Sequence, residues 1–165
     1  MMVSVGGVLS IEGKNRRFMN IAKRIAQESG GPDYKHGAVL VRGGQVVNYS
    51  HNCLRPVNWA NRFRNHQCGH ATQHAELGAI LGISRKKTTG STIYVARIGS
   101  DGHFRLSKPC PMCLQVMEHV GIKRVVYTVN DEHVAEIKLT QGIDEEHFNY
   151  MPALRSAKRK EKRNE

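Results

Sequence analysis

From Asn15 to Ser29, apolar residues recur at helical spacing. Phe18, Ile21, Ala22, Ile25 and Ala26 share one face, and Lys23, Arg24 and Gln27 occupy the other. The pattern predicts an amphipathic helix, which Gly30-Gly31-Pro32 stops. Two β-branched runs, Gly37 to Arg42 and Gln45 to Ser50, meet across Gly43-Gly44 and predict a hairpin. Further strands are expected at Ser91 to Ile98, Arg124 to Thr128 and Val134 to Leu139, and further helices over His74 to Leu81 and Pro111 to Val120, the second closed by Gly121. Arg85-Lys86-Lys87 reads as a solvated loop and Gly99-Ser100-Asp101-Gly102 as a turn. Strands alternating with helices imply an α/β fold: a three-layer α/β/α sandwich around a mixed sheet of about five strands. One domain over residues 1–152 accommodates all of this, followed by a basic tail over 153–165 expected to be disordered.

The stretch from His51 to Gln73 breaks the pattern. It holds His51, Cys53, His66, Cys68 and His70, with Arg55, Arg62, Arg64, Trp59 and Phe63 among them, and shows little periodicity. A long irregular connection inside a compact domain is usually functional or disordered. Three readings stay open. Cys53, Cys68, His66 and His70 could hold a second, structural metal. Alternatively the stretch is a substrate lid, with Arg55 among the arginines that take phosphate and Trp59 or Phe63 stacking on a base. The third reading is a histidine-rich surface loop with free cysteines.

Two short motifs flank the middle of the chain: His74-Ala75-Glu76, and Pro109-Cys110-Pro111-Met112-Cys113. Together they match the H-x-E…P-C-x-x-C signature of zinc-dependent nucleobase deaminases. One imidazole and two thiolates suit Zn²⁺, and three protein ligands leave the fourth position open for water, as a catalytic site requires. Zinc lowers the pKa of a bound water from 15.7 to about 7. Glu76, two residues past His74, could reach that water without ligating the metal and carry its proton. With Pro111 as the first residue of a helix, the missing N–H costs nothing, and the helix start favours thiolates at Cys110 and Cys113.

From about Gly37 to Val129 the sequence resembles the cytidine and deoxycytidylate deaminase superfamily. The likeness extends beyond the motifs to the hairpin, to Thr92-Ile93-Tyr94-Val95 and to Gly121-Ile122-Lys123-Arg124-Val125-Val126-Tyr127. It implies the cytidine-deaminase type of sandwich, with His74, Cys110 and Cys113 as zinc ligands and Glu76 as proton shuttle. Asn52 falls where the family's substrate-contacting asparagine follows the second strand, and Ala38 and Ala75 are further expected substrate contacts. The implied cofactor is one catalytic Zn²⁺, with a second structural zinc as in some deoxycytidylate deaminases. The implied reaction is hydrolytic deamination of a cytosine-bearing nucleoside or nucleotide, with release of ammonia through zinc hydroxide. Oligomers of the chain are also expected from the resemblance.

Composition bears on the substrate and the compartment. A length of 165 residues with 39% hydrophobic content suits one core. No apolar run approaches the roughly 20 residues that span a bilayer, and Met1 to Ser10 lacks the features of a signal peptide. Four cysteines with two committed to metal suit a reducing compartment, so a cytoplasmic protein without a membrane partner is expected. The net charge is +11. Residues 155–165 hold six basic and two acidic side chains, +4, which leaves +7 for residues 1–154. That charge supports an alternative substrate, a base within single-stranded nucleic acid or a tRNA adenosine. Pro109-Cys110-Pro111-Met112-Cys113 is close to the form seen in tRNA adenosine deaminases, whereas Leu114-Gln115 replaces the small residues usual there. A non-catalytic, zinc-stabilised nucleic-acid-binding module is a third possibility, against which Glu76 stands, since a structural site has no use for that carboxylate.

Overall fold

Gly43 and Gly44 adopt positive φ angles of 58° and 76°. A two-residue hairpin turn of matching twist needs this conformation at both positions, and glycine adopts it without steric cost. The turn joins β2 (Lys35–Arg42) to β3 (Gln45–His51), with Arg42 opposite Gln45. This is the computed structural model of the chain, described over residues 3–30, 34–63 and 72–139. In chain order, β1 (Val3–Ser10) and α1 (Gly13–Gln27) precede that hairpin. After it come β4 (Cys53–Pro56), a 3-10 helix over Asn58–Phe63, β5 (Thr72–Gln73), α2 (Ala75–Ile80) and α3 (Arg85–Thr88). The described chain closes with β6 (Thr92–Ile98), β7 (Phe104–Arg105), α4 (Pro111–His119), β8 (Arg124–Thr128) and β9 (His133–Leu139).

The main sheet runs β1-β9-β8-β6-β2-β3, with β7 paired to the end of β6, seven strands in all. The β6–β8 pair is parallel and the others are antiparallel. Alternation along each strand divides the core into two layers. On one face, Phe18, Met19, Ala22 and Ala26 of α1 pack on Val39, Val41, Tyr94, Ala96 and Val126. On the other, Ala75, Leu77 and Ile80 of α2 and Met112, Val116 and Met117 of α4 pack on Ala38, Leu40, Ile93, Val95 and Val125. Each fully buried Leu, Ile, Met or Phe contributes about 1.5–3 kcal/mol. Contact on the α1 side is close at Gly37, where a Cβ would lie 2.1 Å from the Ala22 carbonyl oxygen.

The expected three-layer α/β/α sandwich is present, with a wider sheet than the five strands read from the sequence. β1 and β7 are the additions. β1 carries two adjacent glycines and is specified by pairing with β9, Val3 opposite Leu139, at a separation no local pattern shows. β7 has two residues. Arg85-Lys86-Lys87 forms one helical turn rather than a loop. Within 51–73, Cys53 pairs with Gln73 in a separate two-stranded sheet. The tail and residues 143–150 lie outside the described residues. Among the described residues no helix is long and apolar enough to cross a membrane.

This topology gives the sheet two distinct ends. Lys35, His51, Ile98 and His133 gather at one, and Arg42, Gln45, Thr92, Arg124 and Lys138 at the other.

Candidate active site

Two helix starts meet at the first of these ends. His74 is the N-cap of α2 and Cys110 the N-cap of α4, both in extended conformation (φ −65°, ψ 153° and φ −70°, ψ 162°). Pro111 opens α4, where its fixed φ is already helical and no amide hydrogen is lost. Cys113 follows one turn into the helix and is fully buried. Ser107 holds the approach to Cys110: its buried hydroxyl donates to the Val95 carbonyl at 2.7 Å and accepts the Thr128 N–H at 2.9 Å.

The Sγ atoms of Cys113 and Cys110 lie 3.3 Å and 3.7 Å from Nδ1 of His74. Tetrahedral zinc with bonds of about 2.3 Å to sulfur and 2.0–2.1 Å to nitrogen would set S···N near 3.5 Å. The measured pair brackets that value, so the donor set fits the metal in both spacing and chemistry. Among the described residues these are the side chains gathered closely enough to hold a metal, their donor atoms within 4.8 Å of one another. Hydrogen bonds from Cys113, then from His74, hold the Cys110 thiol well below its ordinary pKa, against the effect of burial. The bond to Cys110 raises His74 in turn. Thiolate is therefore the favoured state of Cys110, as a zinc ligand must be. Glu76, the second residue of α2, is 5% exposed, and burial pushes its carboxyl above the usual carboxylate range. A carboxyl raised in this way is a better proton carrier than an exposed one, because its protonated form is less disfavoured.

Residues 12–129 match the model of the cytidine and deoxycytidylate deaminase zinc-binding region. The chain belongs to this deaminase family. Among solved structures, it is similar to the dCMP deaminase from the cyanophage S-TIM5, apo and in complex with dCMP and dUMP. Identity to the apo form is 21%, with 69% of this chain and 81% of that chain covered and a TM-score of 0.49. It is also similar to RibD from Acinetobacter baumannii, at 18% identity, over 70% of this chain and 28% of that one, with a TM-score of 0.45. No curated protein matches the chain.

The other expected site residues of this family member are more dispersed. Asn52 stands at the end of β3, one residue before Cys53, whose ladder partner Gln73 adjoins His74. Its side chain is occupied in the chain itself: Oδ1 accepts the His36 N–H at 2.9 Å and Nδ2 donates to the Tyr34 carbonyl at 2.8 Å. Ala38, on β2, and Ala75, the first residue of α2, are fully buried in the core layer between the sheet and helices α2 and α4. Phe63 is buried against the His119 ring, centroids 5.1 Å apart, and Trp59 packs on Phe63 at 5.6 Å with the Arg62 guanidinium over it. Arg55 is exposed on β4. Cys53 is a partly exposed free thiol. Its suggested co-ligands Cys68, His66 and His70 lie outside the described residues.

Two residues at this end escaped the sequence reading. His36 and Arg97 face each other across the β2–β6 ladder. Burial first, then the charges of Arg97 and His74, lower the His36 pKa from 6.5 to about 4, so its ring is neutral at pH 7. Arg97 stacks on the Tyr34 ring at 4.8 Å, and its Nε is buried without a hydrogen-bond partner among the described residues. Neither sits in a motif, and only strand pairing brings them together.

Proposed function

We propose that this deaminase acts on the cytosine of a free nucleoside or nucleotide of the cytidine or deoxycytidylate kind. The observation that carries the reading is the buried Glu76 carboxyl beside the His74, Cys110 and Cys113 donor set. His74, Cys110 and Cys113 are the residues that would hold zinc, which when bound supplies an activated water at neutral pH. Glu76 moves the protons. It delivers one to N3 of the cytosine ring, beside the amine-bearing C4, and a second to the departing amine. The balance is one water consumed, one ammonia released and a carbonyl left at C4. The low-polarity setting that raises the Glu76 pKa also strengthens its hydrogen bonds to the ring and amine.

Support for a cytosine substrate comes from the family match and from the hairpin and Asn52, which resemble the cytidine branch. A nucleotide is favoured over a nucleoside by Arg97. No carboxylate pairs with its guanidinium among the described residues, so a positive charge at the site end of the sheet remains available to a phosphate. A base within a polynucleotide is the second reading, favoured by the net charge of +11. Ammonia release and base conversion by the zinc-loaded chain on cytidine, dCMP, single-stranded DNA and tRNA separate the two. Turnover of a free cytosine compound supports the proposal, and turnover on polynucleotide alone overturns it.

A further inference from the structure

At the far end of the sheet from the zinc ligands, a groove of about 770 Å³ opens on the face that carries α1. Its walls include Lys14, Lys123, Arg124 and Lys138, with Glu136 as the one carboxylate among the described residues. Arg124 and Glu136 lie on the same sheet face as Tyr94 and Val126, so the groove is the part of that face left open by α1. Glu136 is 3.6 Å from Arg124, whose guanidinium also donates to the Tyr94 hydroxyl at 3.2 Å. Lys14, Lys123 and Lys138 are exposed and have no carboxylate at ion-pair distance among the described residues. Lys14 lies in the first turn of α1, which has no acidic residue and no side-chain cap at Glu12. There the helix dipole adds to the lysine charge instead of offsetting it. Past β2, Arg42 donates to the Lys86 carbonyl and extends the positive charge along the same end.

Like charges held together without counter-charges are unfavourable, and an anion spanning the groove relieves them. The chemistry points to repeated phosphates. Three lysines on flexible stems act as point charges that follow a chain of phosphates, and among the described residues no aromatic ring lines the groove to stack on a base. We propose that this groove is a sequence-independent seat for the phosphodiester backbone of a single nucleic-acid strand. β6 separates it from the zinc ligands by about 20 Å at the usual rise per residue. The seat therefore holds a strand by its backbone and takes no part in holding a base at Glu76.

The test uses the full zinc-loaded chain and a fluorescent 20-mer of thymidylate, which offers no cytosine or adenine to the catalytic site. Binding is followed by anisotropy across a salt series, for the native chain, the Lys123→Gln/Lys138→Gln variant and the control Arg24→Gln. Both lysine side chains are exposed, so the fold is kept, and circular dichroism checks it. With two lysine charges removed from the phosphate path, affinity at 0.1 M salt should fall roughly twentyfold and the log–log salt slope by about 1.4. Arg24→Gln should stay within about twofold of the native chain. No binding by the native chain, or equal affinity and slope in the double lysine variant, overturns the proposal. So does displacement of the 20-mer by dTTP at matched ionic strength, which would make the groove a mononucleotide site.

Discussion

Nδ1 of His74 and Sγ of Cys113 stand 3.3 Å apart, although 39 residues separate them in the chain. One ion at that point would tie the start of α2 to the start of α4, so metal binding and folding are coupled. At a zinc concentration a thousand times the Kd, the folded state gains about 4 kcal/mol. For a domain of this size that is on the order of 10 °C in Tm. Thermal melts with zinc and with chelator should differ by this amount for the native chain. Cys113→Ser should show no zinc-dependent shift and a zinc content near zero.

His36 sets a pH dependence of stability of its own, separate from that of the metal ligands. Its folded pKa, about 4, is depressed below the unfolded value of 6.5, so between these limits the unfolded chain binds more protons. Stability is full above pH 6.5 and falls as the pH drops towards 4. At 1.36 kcal/mol per pKa unit the loss is about 3 kcal/mol. Urea unfolding at pH 7.5 and pH 4.5 should show His36→Gln losing less stability than the native chain by about that much. Equal losses would remove His36 from the account.

Gly37 is required by packing, since an added Cβ meets the backbone of α1, which cannot swing aside as a side chain would. Gly37→Ala should cost roughly 1–3 kcal/mol as overpacking. The denaturation midpoint should fall with the m-value unchanged.

Arg97 should read substrate charge. Arg97→Leu is expected to raise KM for dCMP while leaving deoxycytidine turnover and zinc content as they were. Equal effects on the two substrates would assign Arg97 a structural role.

What the sequence revealed, and what it did not, follows from the range of the signals. The ligands sit in two short motifs at helix starts, and proline and helix periodicity place those starts locally, so the His74, Cys110 and Cys113 cluster was legible. So were α1, the β2–β3 hairpin and the central strands, because amphipathic spacing and a Gly43-Gly44 turn are local features. β1 was not, since its partner residues lie between 123 (Ser10 to His133) and 136 (Val3 to Leu139) positions away and its own Gly6-Gly7 pair disfavours a strand. The His36–Arg97 pair and the basic groove were hidden for the same reason. Each is assembled by the sheet from elements that are distant in the chain. Trp59 and Phe63 read as possible base-stacking residues because an aromatic pair looks alike in sequence whether it faces a ligand or its own core.

Glu76 is the proton carrier of the proposed reaction, and ammonia release from the proposed cytosine substrate, measured alongside zinc content for the native chain and for Glu76→Ala, tests that role most directly. Glu76→Ala should keep its zinc unchanged and turn over roughly a hundred- to ten-thousand-fold more slowly, the contribution of a positioned proton carrier. Turnover close to the native rate with zinc retained would contradict it.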